Sequence, residues 1–427
     1  MTTTVDVYGL RVNQARVMRA MTATAVMEAL GWKHSRLNRL EKSTTTALPI
    51  KDFDRLVAVL RFPAKFFTTA PTSRVHQSDL LFRAPRSITA TEREYLAQFA
   101  ALAGEFLDEL NGRTQLPAVK LPILPIDTAV TQAAAAVRAS WGLEHDQPIE
   151  YLTHEIERSG VVVVVRRLLT SSSRRILGDG DSTGKIDKHL GYSVRVGEFN
   201  TRPLIVVRQS NSWERTRWTL AHEVGHLVLH ASGSVTEACE EQASQFASEL
   251  LAPAAVLAKD VSRAPSLAEL LPVKAKWGVS LGALIKHLHT SQLLTGARFE
   301  ALRRQLYTRV NPDTDTTWGR VEPGWNDREV ERPRLISKWL EMAFSARSAA
   351  MLAPYDLVWP QDLLEDFMAG QRAAPGAAAV RVAMRQRQSD GRTRVIGAQY
   401  GQQCDSVAAA KPARLEHKGG RWRECSG

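Results

Sequence analysis

Cysteine is scarce. Three residues in 427 are too few for a disulfide scaffold and fit a reducing cytoplasm. Long apolar runs are missing too. No segment approaches the ~18–20 apolar residues that span a bilayer, so no membrane-spanning role is expected. The N-terminal stretch MTTTVDVYGLRVNQARVM lacks the long apolar run of a secretory signal. With 44% hydrophobic and 24% charged residues, the chain as a whole is neither disordered nor fibrous. At roughly 100–200 residues per domain, its length suggests two to four domains.

Charge is present but unevenly placed. The formal net charge is +11. Residues 1–70 hold eleven Lys and Arg against five Asp and Glu, and residues 371–427 hold eleven against four. The middle is therefore close to neutral, and the ends are where a polyanion is expected to bind.

Apolar residues recur at helical spacing in Ala15, Val17, Met18 and Met21, and again in Ala25, Val26, Ala29 and Leu30. Gly31 supplies a tight turn. A third helix follows over Lys33–Glu41, with Leu37 and Leu40 inward and Lys33, His34, Arg36 and Arg39 outward. Pro49 then starts a stretch with Phe53, Leu56, Val57 and Leu60 on one face, followed by Pro63, Phe66 and Phe67. A helix, a turn and a second helix with a basic polar face is how a helix-turn-helix meets the major groove. Lys33, His34, Ser35, Arg36 and Arg39 are the candidate DNA contacts, since Arg can bond guanine edges and both Lys and Arg hold phosphates. The stretch MTATAVMEALGWKHSRLNRLEKST, followed by LVAVLRFPAKFF, resembles the lambda-repressor-like (XRE) DNA-binding domain. It departs from that pattern at Ala23, where Gln is usual, and at Lys42-Ser43, where a basic residue and Gly are usual. A small helical bundle with a solvated basic face is the alternative.

The sharpest signal is RTRWTLAHEVGHLVLH, residues 215–230. On a helix, His222 and His226 lie about 40° apart and roughly 6 Å from one another, close enough to share one Zn²⁺. Zinc makes water acidic, and Glu223 can take the proton as attack on a peptide carbonyl begins. Trp218, Leu220, Ala221, Leu227, Val228 and Leu229 mark a buried helix, where His and Glu need partners. The alternative is a structural helix with satisfied histidines. In the next helix, TEACEEQASQFASELLAP, the apolar face runs through Ala243, Phe246, Ala247, Leu250 and Leu251. Glu240 shares that face, so it is the best third ligand, leaving one coordination position open. Glu237 and Glu241 fall on solvated positions. Cys239 reads as a packing residue, with thiolate ligation a minority alternative. His230, one turn beyond His226, comes too early for a metzincin ligand and reads as a partner behind the ligands or as packing at the helix end. GDGDSTGK (178–185) looks like a phosphate loop, but its first Gly is misplaced and Ile186 occupies the Ser/Thr position. As a calcium loop it lacks the closing Glu.

VVVVVRR (161–167), GYSVRV (191–196) and RPLIVVRQ (202–209) read as strands. TQAAAAVRASWGL and IEYLTHEIERSG read as helices before them. A sheet edge beside the metal would let an extended peptide add as a strand.

VRASWGL, SGVVVVV, RPLIVVR, RTRWTLAHEVGHLVLH and EEQASQFASELLAP resemble the ImmA/IrrE family of metallopeptidases. KWGVSLGALIKHLHTSQLLT is similar to that family's extension after the catalytic core, and FRAPRSITATEREYLAQFAALA with LPAVKLP to its XRE-fused forms. The resemblance spans about residues 10–345. It implies a zinc endopeptidase that cleaves a transcriptional repressor in stress response or mobile-element control. It also implies His222, His226 and Glu240 as metal ligands and Glu223 as the base. Ser244 stands where the family commonly has Asn or Asp, a shorter partner behind the ligands.

The expected fold is multidomain and mainly α with a small mixed β-sheet. It comprises an all-α helix-turn-helix bundle (8–70), a helical linker (71–127), an α+β zincin-like peptidase domain (128–260), a helical extension (261–353) and a basic, flexible tail (354–427) in which Leu357–Met368 reads as one more helix. The expected cofactor is Zn²⁺. The expected partners are double-stranded operator DNA and a helix-turn-helix repressor as substrate. A homodimer is among the expected assemblies, since such proteins often bind two half-sites. A second reading is a regulator whose zincin-like domain only senses metal, ligand or partner. In a third, the N-terminal helices bind protein alone, and DNA affinity insensitive to salt would favour it. Tyr192, His189 and Arg217 are the candidates for stabilising an oxyanion.

Overall fold

A computed structural model describes residues 3–81, 90–125, 127–166, 191–210, 212–230, 236–312, 314–324 and 327–371. No helix among them is long and apolar enough to cross a membrane. His189, the 178–185 loop and residues 372–427 lie outside the described residues.

The N-terminal module has five helices: α1 (Gly9–Met18), α2 (Ala23–Leu30), α3 (His34–Lys42), α4 (Ile50–Leu60) and α5 (Ala64–Thr68). Thr22 caps α2 by accepting from the Ala25 amide at 3.1 Å. Gly31 ends α2 at φ +66°, a left-handed conformation that costs glycine little. The Trp32 amide then bonds back to the Met27 carbonyl at 2.9 Å, which satisfies a helix-end carbonyl. The expectation of an all-α module needs correction. β1 (Thr4–Tyr8) pairs antiparallel with β2 (Thr45–Pro49), from Thr4 opposite Pro49 to Tyr8 opposite Thr45. Val7 and Leu48 point from this ribbon into the core. The alternation of buried and exposed residues in each arm is short, and neither arm has a partner nearby in sequence to reveal it.

The core of this module is continuous with that of the elements that follow. Val12, Leu30, Leu37, Leu56, Phe66 and Phe67 form one apolar cluster with α6 (Ala90–Arg113) and one face of the central sheet. Arg11 of α1 is buried against Glu105 of α6 at 2.7 Å and also bonds the Thr69 and Ala70 carbonyls. Glu105 in turn accepts from the Thr72 amide at 3.0 Å. Both charges are thus paired, as burial requires. The stretch read as a linker therefore contains a buried helix: α6 packs against α1 and against the sheet.

The sheet has the order β3 (Val162–Arg166), β5 (Arg202–Arg208), β4 (Gly191–Val196). β3 runs parallel to β5 and β4 antiparallel to it. The uninterrupted valine run is explained by cover on both faces. Val162, Val164, Val194 and Val206 face α6, while Val163, Ile205 and Val207 join the second cluster. That cluster is closed by α7 (Val130–Ser140), α8 (Leu152–Arg158), α9 (Trp213–Leu229) and α10 (Glu237–Leu251). α11 (Ala254–Asp260), α12 (Leu267–Trp277), α13 (Leu281–Thr290) and α14 (Gly296–Thr308) complete it. Buried ion pairs attach the later chain to α9: Arg217 to Glu331, and Lys274 to both Glu214 and Glu322.

After the short β6–β7 hairpin (Val310–Asn311 with Thr316–Thr317) come α15 (Leu335–Phe344) and α16 (Gln361–Met368). The expected flexible tail from residue 354 is corrected over its first part. Leu363, Leu364 and Phe367 of α16 are buried, and the Phe367 ring lies 5.5 Å from Phe106 and 5.2 Å from Phe99 of α6. Leu and Phe at helical spacing are enough to dock a two-turn helix.

Candidate metal centre

α9 starts at Ser212, whose hydroxyl accepts from the Arg215 amide at 3.2 Å, and runs beneath the sheet. α10 starts at Thr236, which caps the Cys239 amide at 3.3 Å. The two helices touch closely at Gly225, the fourth residue of His-Glu-Val-Gly-His. A Cβ there would stand 2.9 Å from Phe246 Cδ1 and 3.3 Å from the Ala243 Cα. Only glycine permits this spacing, and it brings the first turn of α10 to the histidines. Sequence reading did not assign Gly225 a role. Its position inside a pentapeptide otherwise made of chemistry was the available signal.

His222 and His226 stand one turn apart, with ring centroids 4.8 Å apart and planes at 80°. Their Nε2 atoms are 3.1 Å apart. Glu240 reaches both, with Oε2 3.4 Å from His222 Nε2 and Oε1 3.3 Å from His226 Nε2. The three side chains form the His/Cys/Asp/Glu group able to hold a metal among the described residues. In a tetrahedral zinc site with bonds of 2.0–2.1 Å, neighbouring donor atoms lie about 3.3 Å apart. The measured spacings match that edge length.

Protonation also fits. Burial pushes His226 down, toward neutral imidazole. Burial alone would raise Glu240, but the two imidazoles facing it outweigh that and hold its carboxyl below the usual carboxylate range. Behind the ligands, His226 Nδ1 lies 3.0 Å from His230 Nδ1, and His230 Nε2 lies 2.9 Å from Gln242 Oε1. One tautomer assignment satisfies this chain. His230 donates from Nε2 to the amide oxygen and accepts at Nδ1 from His226, which leaves the His226 Nε2 lone pair facing His222 and Glu240. Ser244 Oγ lies 3.5 Å from His222 Nδ1 and can accept its proton in the same sense, through a long contact. Trp218 stacks on His222 at 5.0 Å and fixes the plane of that ring. Gln242 was missed because it is exposed and carries no motif. Glu237 and Glu241 are exposed, and Cys239 is half-buried beside the Thr236 hydroxyl at 3.3 Å.

Glu223 is 3% exposed, and its Oε2 has no hydrogen-bond partner among the described residues. Burial raises its carboxyl well above the usual range; the Ser193 hydroxyl beside it opposes that shift, and the Glu240 charge adds to it. A Cβ on Gly191 would stand 3.2 Å from Glu223 Oε1, so the start of β4 closes over the carboxylate. A buried carboxylate oxygen without a donor is costly unless something else meets it. Beside three converging lone-pair donors, it leaves a polar place that a cation and water fit.

Two of the expected oxyanion residues are committed elsewhere. Tyr192 alternates to the other sheet face, where its hydroxyl donates to the Leu96 carbonyl at 3.2 Å. Arg217 faces away from the histidines, bonded to Glu331 at 2.5 Å and to the Ile149 carbonyl at 2.7 Å. In the N-terminal module, Lys33, Ser35 and Arg39 are exposed, His34 opens α3, and Leu37 and Leu40 are buried. Arg36 is less free than expected. It pairs with Asp52 at 2.5 Å and lies over the Trp32 ring at 4.2 Å. Asp52 arrives from α4, where sequence spacing alone does not place it.

Residues 156–289 match the family model described as Peptidase_M78, IrrE N-terminal-like domain. That stretch runs from the end of α8 to the end of α13 and includes His222, Glu223, His226 and Glu240. The N-terminal helices lie outside it. No curated protein matches the chain. The match supports a metallopeptidase-type domain carried within a larger, mainly helical chain.

Proposed function

We propose that this chain is a DNA-binding transcriptional regulator with a zinc-dependent endopeptidase domain, and that it cleaves a repressor-type protein in stress response or mobile-element control. The observation that carries the reading is the convergence of His222 Nε2, His226 Nε2 and Glu240 at 3.1–3.4 Å beside the unpartnered Oε2 of Glu223. Zinc bound there would polarise a peptide carbonyl and make water acidic. Glu223 takes the proton from water as the oxygen attacks the carbonyl carbon. It returns that proton to the amide nitrogen as the C–N bond breaks. His230, Gln242 and Ser244 keep the two imidazoles in the tautomers that leave Nε2 free. Lys33, Ser35 and Arg39, exposed along α3, are the groups offered to operator DNA.

A second reading has a specific observation behind it. His226 is 0% and Glu223 3% exposed. A site so enclosed also suits a metal or partner sensor that controls DNA binding without proteolysis.

The test is Glu223→Gln in the zinc-loaded full chain, with a co-encoded repressor as substrate. Loss of cleavage with zinc retained is the expected result. Cleavage at the wild-type rate would remove Glu223 from the mechanism, and no cleavage by either protein would favour the sensor.

A further inference from the structure

β4 is an edge strand of the central sheet. Its inner side pairs with β5 from Gly191 opposite Val207 to Val196 opposite Arg202. Its outer side carries one isolated antiparallel bridge among the described residues, between Ser193 and Leu81. The pairing is reciprocal. The Leu81 amide donates to the Ser193 carbonyl at 2.8 Å, and the Ser193 amide donates to the Leu81 carbonyl at 3.4 Å.

Directly opposed residues of an antiparallel pair project to the same face. Leu81 is 6% exposed and joins the apolar cluster of Val207, Leu220 and Val224 on the α9 side, whereas its neighbour Leu80 joins the cluster on the other side. Ser193 therefore points toward α9, and its hydroxyl lies beside Glu223. Gly191 lies two residues earlier on the same face, where a Cβ would stand 3.2 Å from Glu223 Oε1. The bridge thus stands at the catalytic end of the sheet. An extended peptide adding to β4 would need the Ser193 amide and carbonyl that Leu81 now holds, and the space that its side chain fills.

We propose that Leu81 is an internal occupant of the peptide-binding edge, so that the chain's own backbone pairs with Ser193 beside the metal centre and an extended aliphatic peptide must displace it to bind. This rests on the peptidase reading for its consequence, slow cleavage until displacement, but not for the pairing itself. Among the described residues, one reciprocal backbone pair and one leucine side chain occupy that edge. A substrate or regulatory partner that pulls the Leu81 segment away would switch the edge on.

The test uses fluorescein-labelled β-casein, an extended chain rich in aliphatic residues, with the full-length protein. Leu81→Pro removes the amide that donates to Ser193, and Leu81→Ala keeps both backbone bonds while emptying the side-chain place. In metal-free protein, Leu81→Pro should bind casein at least tenfold more tightly than wild type, and Leu81→Ala severalfold more tightly. Circular dichroism confirms that each variant is folded. Should Leu81→Pro not fold, Leu81→Ala decides alone, together with hydrogen exchange of the wild-type Ser193 amide, which should be protected and lose protection on adding casein. Equal casein affinity in wild type and folded variants overturns the proposal, as does an unprotected Ser193 amide. Tighter binding without cleavage by the zinc-loaded variants would uphold the occupied edge and overturn the peptidase reading. Cleavage at equal rates by wild type and variants would do the reverse.

Discussion

Gly225→Ala sets two known magnitudes against each other. In an unhindered helix interior the substitution stabilises by about 1 kcal/mol, because alanine loses less backbone freedom on folding. At Gly225 the new methyl would stand 2.9 Å from the Phe246 ring and 3.3 Å from the Ala243 Cα. Phe246 and Ala243 are both 0% exposed, so neither can swing into solvent. Overpacking of this kind costs about 1–3 kcal/mol. Because both obstacles are fixed, the upper part of that range applies and the net effect is a loss of about 1–2 kcal/mol. The strain is relieved by moving α10 outward, and Glu240 moves with it. The 3.3 and 3.4 Å spacings to the histidines then open, so zinc should be held more weakly as well. Gly112, near the end of α6, is the control. A Cβ there meets nothing within 4 Å, so Gly112→Ala should be neutral or stabilising. Urea unfolding of the two variants, with zinc affinity from a chromophoric chelator, gives both readings. A Gly225→Ala protein as stable as wild type and as tight for zinc would refute the claim that this glycine sets the helix spacing.

Other consequences follow from the groups behind the site. Burial pushes Glu157 up to about 7 from an ordinary 4.5, although it accepts from the Leu335 and Arg334 amides at 2.9 and 3.0 Å. The unfolded chain then ionises first, so stability should fall as pH rises from about 4.5 to about 7. The fall is about 3–4 kcal/mol, the 2.5-unit difference taken at about 1.4 kcal/mol each. In Glu157→Gln that share of the slope should vanish. Urea midpoints at pH 4 and pH 8 measure it, and parallel slopes in the two proteins would refute it. His230→Phe keeps a ring against His226 but removes the acceptor at 3.0 Å from its Nδ1. Zinc affinity should drop about 10–100-fold with the fold intact. A chelator titration checks this, and unchanged affinity would make His230 a packing residue only.

The legible parts of this protein are those in which periodicity and chemistry coincide. The valine run read as strand because a sheet covered on both faces needs apolar residues at every position. Glu240 separated from Glu237 and Glu241 because one helical face could be followed from Leu251 back to the first turn. Contacts that cross long stretches of sequence stayed hidden. The β1–β2 ribbon joins residues about forty apart, and nothing local in TVDVY or TTALP announces its partner. α6 read as a linker because burial all round a helix leaves no amphipathic stripe to mark a core-facing side. Arg36 read as free for DNA because Asp52 lies in another helix. Tyr192 and Arg217 read as oxyanion candidates by residue type alone, and strand alternation and helix rotation turn them into the core.

Metal content of the purified full chain tests the central claim most directly, wild type against Glu240→Ala, by atomic emission after exhaustive dialysis. One equivalent of zinc in wild type and a small fraction of that in the variant is the expected result. Zinc that stays at one equivalent in Glu240→Ala, or never appears in wild type, would contradict a centre built from His222, His226 and Glu240.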